Sequence, residues 1–186
     1  MRRKMRKLEL ALGLTAALAL SVPASPALAS METPEAKAEA SDAASIARYD
    51  MIEAFGDKSL KPGQYVWRSV KAAGEPRVVV SLSDQLVYLY RGDTLMAVST
   101  TSTGTDKNPT PTGIFEVLAK KPMHHSRKYD NAPMPFMQRI DKYGIALHAG
   151  ALPGHRASHG CIRLPSSFAK KLYSVTSLGS TVMIGA

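Results

Sequence analysis

Residues 77–101 read RVVVSLSDQLVYLYRGDTLMAVSTT, and this stretch decides the fold class. Arg77 to Leu82 is a β-branched run, Gln85 to Tyr90 is a second run, and Thr94 to Thr101 is a third. Ser83-Asp84 and Arg91-Gly92-Asp93 separate them. β-Branched and aromatic residues suit a pleated, half-buried surface, and short Ser/Asp/Gly connections join antiparallel neighbours. The stretch therefore predicts a three-stranded antiparallel meander.

Working outward, Thr103-Gly104 through Asn108-Pro109-Thr110-Pro111-Thr112-Gly113 is a turn-rich loop, and Ile114 to Ala119 reads as another strand. Lys120 to Pro135 holds three prolines and two histidines with little periodicity, which predicts a long surface loop, a flap over a cleft. Ile145 to His148 is a short strand that carries His148 to its end. Pro165 to Val175 is helical, with Phe168, Leu172 and Val175 on one face, and Thr181 to Ile184 is a last strand. The fold class is mainly β, with a few peripheral helices.

The other end of the chain carries a different signal. Arg2, Arg3, Lys4, Arg6 and Lys7 precede an apolar segment, Leu8 to Leu20, and Ala27-Leu28-Ala29 fits a small-x-small cleavage site. That layout predicts a secretory signal peptide at residues 1–29. The apolar run is short against the roughly 20 residues a bilayer needs, so no stable membrane insertion is expected after cleavage. The remaining 157 residues suffice for one domain. Residues 30–75 read as a flexible Ala/Glu-rich tether followed by a short helix at Ile46–Phe55, capped at Ser45. Residues 76–186 read as the main folded domain.

The whole chain has 24 basic and 15 acidic residues, and removing the first 29 leaves 19 against 14. This balance suits an acidic polymer nearby and equally suits plain solubility. No basic cluster is interleaved with aromatics, so nucleic acid is not a predicted partner.

The single cysteine sits in Ser158-His159-Gly160-Cys161-Ile162-Arg163. One thiol cannot close an intrachain bridge, and an odd thiol in an exported chain is a liability unless it has a role. A thiolate is a strong nucleophile when an imidazole takes its proton. Cys161 is therefore the candidate nucleophile, with a thiol expected to be more acidic than usual. His148 and His159 compete as base: His148 ends a strand, and His159 would share a face with Cys161 along an extended segment. A backbone carbonyl near Ala149 or Gly150 could orient the base. Gly160 allows a tight turn, and amides around Gly160 and Cys161 could bind an oxyanion. Arg163, two residues on, could bind a substrate carboxylate. Zinc held by His155, His159, Cys161 and His148 is the competing use of these residues. The glycines and Pro165 crowd the helix that His155-x-x-x-His159 needs, so no metal and no cofactor is predicted.

Ser158-His159-Gly160-Cys161-Ile162-Arg163, with His148 upstream, resembles the signature of the L,D-transpeptidase catalytic domain family (YkuD-like). Val78 to Tyr90 resembles the family's opening hairpin, and Ser102-Thr103-Gly104 with Thr110-Pro111-Thr112-Gly113-Ile114-Phe115 resembles a further stretch of it. The likeness spans about residues 76–186. It implies an L,D-transpeptidase-like β-sandwich in the periplasm or cell-wall space, acting on peptidoglycan stem peptides. It implies an acyl-enzyme at Cys161, release of D-alanine, and transfer to an amine of another stem; the alternatives are transfer to water as an L,D-carboxypeptidase and a non-catalytic wall-binding module that kept the fold. By position, Cys161 is the nucleophile and His148 the proton donor and acceptor. His159 and Gly160 line the site, and Ser158 and Arg163 contact substrate. Ala149 departs from the glycine or serine of many relatives, and the His148–Ser158 spacing is short.

Overall fold

The computed structural model describes residues 31–186; the segment read as a signal peptide lies outside them. Ten strands and two helices are described: α1 (Pro34–Phe55), β1 (Tyr65–Trp67), β2 (Pro76–Ser81), β3 (Leu86–Arg91), β4 (Thr94–Thr100), β5 (Gly113–Glu116), β6 (Ala119–His125), β7 (Pro133–Arg139), β8 (Ala146–Ala149), β9 (Ile162–Leu164), α2 (Ser166–Val175) and β10 (Thr181–Gly185). β2, β3 and β4 form the expected antiparallel meander. They lie in a six-stranded sheet of order β1-β4-β3-β2-β10-β5, while β6-β7-β8-β9 form a second sheet. β10 runs parallel to β2 and antiparallel to β5.

Strand alternation sends each face of the large sheet into a different core. Val78, Val80, Val87 and Leu89 pack with Leu147, Ala149, Ile162 and Leu164 of the small sheet and with Phe168 and Leu172 of α2. Val79, Tyr88, Val98 and Met183 point the other way, against α1. A sheet buried on both faces reads as a continuous apolar run, which is why Val78-Val79-Val80 shows no polar alternation.

The N-terminal segment differs from the expected tether. Residues 34–55 form one 22-residue helix, whose N-cap Thr33 side chain accepts from the Ala36 amide at 3.2 Å. Its buried stripe is Ala36, Ala40, Ala44, Ala47 and Met51. Alanine is weakly apolar, so the stripe carries little hydrophobic signal, yet its small side chain lets the helix backbone touch the sheet. A Cβ on Gly185 of β10 would stand 2.5 Å from the Ala40 carbonyl oxygen. Ile46 and Tyr49, the residues that suggested a short helix, face solvent at 59% and 74% exposure.

The expected flap also differs. β6 and β7 pair antiparallel from Ala119↔Arg139 to His125↔Pro133, so Lys120–Pro135 is a hairpin, not a loop. Its prolines are tolerated because β6 is an edge strand and β8 pairs with β7 only at Gln138 and Arg139. Among the described residues no helix is long and apolar enough to cross a membrane.

Candidate active site

β8 and β9 run parallel with Leu147 opposite Ile162, His148 opposite Arg163 and Ala149 opposite Leu164. Leu147, Ala149, Ile162 and Leu164 fill the core between the sheets. Successive side chains of a strand alternate between faces. His148 and Arg163 therefore point to the outer face, and so does Cys161, one residue before β9 and two before Arg163. An open groove of about 1010 Å³ lies on this face, with His148, Ser158, His159, Cys161 and Arg163 in its wall. Residues of the hairpin β6–β7 and of the loop 141–145 line the same groove.

Gly160 turns the chain just before the cysteine. Its φ is +106°, a left-handed value glycine tolerates, and a Cβ there would stand 2.6 Å from Ile145 Cδ1. The segment is thus not extended at this point, although His159 and Cys161 both line the groove. The His159 ring stacks on Tyr129 across the groove, with centroids 4.4 Å apart. Ser158 Oγ donates to the Cys161 carbonyl at 2.5 Å and accepts from the Gly160 amide at 3.1 Å. The Gly160 amide is therefore engaged, which leaves the Cys161 amide as the oxyanion donor to test.

Long-range bonds hold this turn. Ser102 and Arg163 exchange backbone hydrogen bonds at 3.1 and 3.0 Å, and the Ala157 and Ser158 amides both donate to Thr103 O. Thr110 Oγ1 donates to Gly160 O at 2.8 Å and accepts from the Gly104 amide at 2.8 Å. Gly104 is a close approach: a Cβ there would stand 2.2 Å from Asn108 O and 2.9 Å from Gly160 Cα. The stretches Ser102-Thr103-Gly104 and Thr110 are thus the bed on which the cysteine turn rests.

His148 is buried at 7% exposure, and its Nδ1–H donates to Ala149 O at 2.8 Å, because a carbonyl can only accept. That fixes the neutral tautomer with Nε2 bare and free to take a proton. The carbonyl fills the orienting role, so the side chain missing at Ala149 is not needed for it. Burial pushes the His148 pKa down, opposed by the Ala149 hydrogen bond and reinforced by the Arg163 charge.

The Cys161 thiol differs from the expected acidic one. Burial pushes its pKa up; a backbone hydrogen bond at Ala146 opposes this, and the Asp141 charge adds to it. Met134, Met137 and Ala146 surround the sulfur. Sγ donates to Gly144 O at 3.9 Å, a contact that favours the protonated form. Both shifts favour the uncharged form of their group, and no direct hydrogen bond joins the thiol to the imidazole.

Asp141 is a residue the sequence reading did not single out. Its buried Oδ1 accepts from the amides of Tyr143, Gly144 and Ile145 at 2.9, 2.7 and 2.8 Å, and so shapes the loop that presents Gly144 O to the sulfur. The signal was Asp141 three residues before Gly144, a side-chain turn pattern. His124, read only as a loop residue, also lines the groove. No group of three or more His, Cys, Asp or Glu side chains among the described residues is placed to hold a metal.

A sandwich whose outer groove holds a lone cysteine and a strand-end histidine defines a class. The L,D-transpeptidase catalytic domain model matches residues 75–184, and the chain belongs to that family. No curated protein matches it. Solved structures share the fold: an L,D-transpeptidase from Stackebrandtia nassauensis at 24% identity and TM-score 0.56, over 74% of this chain and 65% of that one. This chain thus spans just under two thirds of that protein. An L,D-transpeptidase from Mycobacterium smegmatis matches at 22% identity and TM-score 0.57, over 70% of each. L,D-transpeptidase 3 from Mycobacterium tuberculosis, solved with a faropenem-derived adduct, matches at 22% and TM-score 0.56, over 70% of this chain and 71% of that one.

Proposed function

We propose that this protein is an exported cysteine L,D-transpeptidase acting on peptidoglycan stem peptides. The observation that carries the reading is the shared outer face of β8 and β9, where Cys161 and His148 open into one groove beside Arg163. His148 Nε2 takes the thiol proton as Sγ attacks the carbonyl of the third stem residue. The oxyanion forms beside the Cys161 amide. His148 returns the proton to the departing D-alanine nitrogen, and a thioester remains on Sγ. An amine of a second stem then gives its proton to His148 and attacks the thioester, which yields a crosslink between two third residues and regenerates the thiol. Arg163, half-buried beside His148, pairs with a substrate carboxylate. Ser158, whose side chain is bonded to the Cys161 and Gly160 backbone, acts on the turn rather than on substrate.

The raised thiol pKa and lowered imidazole pKa fit this order of events. The proton moves only when the substrate has displaced water, so the resting enzyme holds little free thiolate to oxidise. Incubation of the mature protein with purified stem tetrapeptide, read by mass spectrometry, tests the reading. Crosslinked dimer is expected. Trimmed monomer alone would assign carboxypeptidase activity instead, and neither product, with free D-alanine absent, would refute an enzymatic role.

A further inference from the structure

Within residues 30–186 the positive charge is concentrated around the groove. Residues 119–163 contain eight basic and two acidic residues, an excess of six, while residues 30–186 as a whole have 19 against 14, an excess of five. The rest of that region is therefore close to neutral, so the excess is not a general solubility device. Lys121, Arg127, Lys128, Arg139, Lys142 and Arg163 line the groove, and Asp130 is the one carboxylate lining it. The two ion pairs among the described residues are Arg48–Asp57 and Arg156–Asp106, so no groove cation has a carboxylate within salt-bridge distance. Lys121, Arg127, Lys128 and Lys142 are exposed, and Arg139 and Arg163 are half-buried. The field is felt inside the groove: after burial, the charges of Lys121, Arg127 and His125 push the His124 pKa down.

We infer that this groove selects a donor stem with free side carboxylates over the same stem in which they are primary amides. The inference rests on the transpeptidase reading above and names its substrate class. A stem peptide presents carboxylates at its γ-linked glutamate, at the second centre of a diamino acid, and at its terminus. The terminal one is common to both forms, so the other two decide the preference. Unpaired cations on both sides of the cysteine meet carboxylates along the stem, whereas an amide leaves those cations without a partner. Concave walls of predominantly one sign concentrate such a ligand more than an isolated surface pair would. Exposed pairs are individually weak, so two together give a preference of about ten-fold rather than absolute exclusion.

The test uses the mature chain carrying Cys161→Ala, so that bound peptide is not consumed. Titration calorimetry measures two synthetic tetrapeptides of one sequence, one with free side carboxyls and one with both amidated. Tighter binding of the free form by about ten-fold at low salt is expected, shrinking to under about two-fold near 1 M salt, where the screening length is about 3 Å. Replacing the exposed lysines together (Lys121→Gln, Lys128→Gln, Lys142→Gln) should remove most of the preference at low salt. Equal affinities, or a preference indifferent to both salt and lysines, would overturn the inference. Failure of the transpeptidase reading shows separately, as absence of D-alanine release by the wild type from either peptide.

Discussion

The two walls of the groove are built on different terms. The cysteine wall, residues 157–163, is bonded to segments about 50 residues away: Thr103 O takes two of its amides, Ser102 brackets Arg163, and Thr110 holds Gly160. The hairpin tip, residues 126–132, closes largely on itself through Ser126 N to Ala132 O and Ala132 N to Tyr129 O, and meets the other wall through the Tyr129–His159 stack. On the proposed mechanism the contrast separates chemistry from selection. A reacting sulfur must be held to a fraction of an ångström, which long-range bonds of this kind achieve. The charged wall needs only to be near, since its long side chains reach the ligand by themselves.

If that division is right, damage to the bed of the cysteine turn should cost most. Gly104→Ala puts a methyl against Asn108 O and Gly160 Cα. Expected is a fall in kcat of about 100-fold, with destabilisation of about 1–3 kcal/mol in urea melts. Unchanged kcat would mean that the turn is not held by this contact. Thr110→Val keeps the volume but strands the Gly104 amide and the Gly160 carbonyl. A kcat about ten-fold lower with KM within about two-fold is expected, together with about 1–3 kcal/mol of lost stability.

The pH response of the two proposed catalytic groups is smaller and has a definite sign. His148 is pushed below its ordinary value, so the folded state resists taking a proton there. Its contribution to stability is present above about pH 6.5 and is lost as pH falls toward the folded value. Cys161 is pushed above its ordinary value, so its contribution is present below about pH 8.5 and is lost as pH rises through the folded value. Urea melts across pH should show both losses in the wild type, the acid one absent in His148→Gln and the alkaline one absent in Cys161→Ala. Identical pH profiles for all three proteins would contradict the assigned shifts. At the hairpin, Tyr129→Ala removes a stack worth about 0.5–1.5 kcal/mol. A KM raised a few-fold with kcat kept is expected, and a large kcat loss would place the tip in the chemistry after all.

The same contrast explains how much was legible in the sequence. The meander was readable because Ser83-Asp84 and Gly92 punctuate β-branched and aromatic runs. Cys161 and His148 stood out because few residue types can serve as nucleophile and base, and the Ser158–Arg163 signature pointed to the family whose model matches residues 75–184. The α1 helix was hidden because its buried stripe is alanine, whose value there is its small size against Gly185 rather than its hydrophobicity. The β6–β7 hairpin was hidden by Pro122, Pro133 and Pro135, which lie where the ladder makes no demand on both edges. Phe136, at φ 55°, breaks its alternation further: Met134 and Met137 both reach the sulfur side, while Phe136 packs on the central core. The supports of the site, Thr110 and Asp141, act through bonds whose partners only the fold brings together, and the raised thiol pKa is likewise a property of burial.

Intact-mass spectrometry of the mature protein during turnover of the stem tetrapeptide probes the sulfur directly. A transient adduct of the tripeptidyl mass, mapped to Cys161 by digestion and missing from Cys161→Ala, is the predicted result. D-alanine released by Cys161→Ala at the wild-type rate would contradict it.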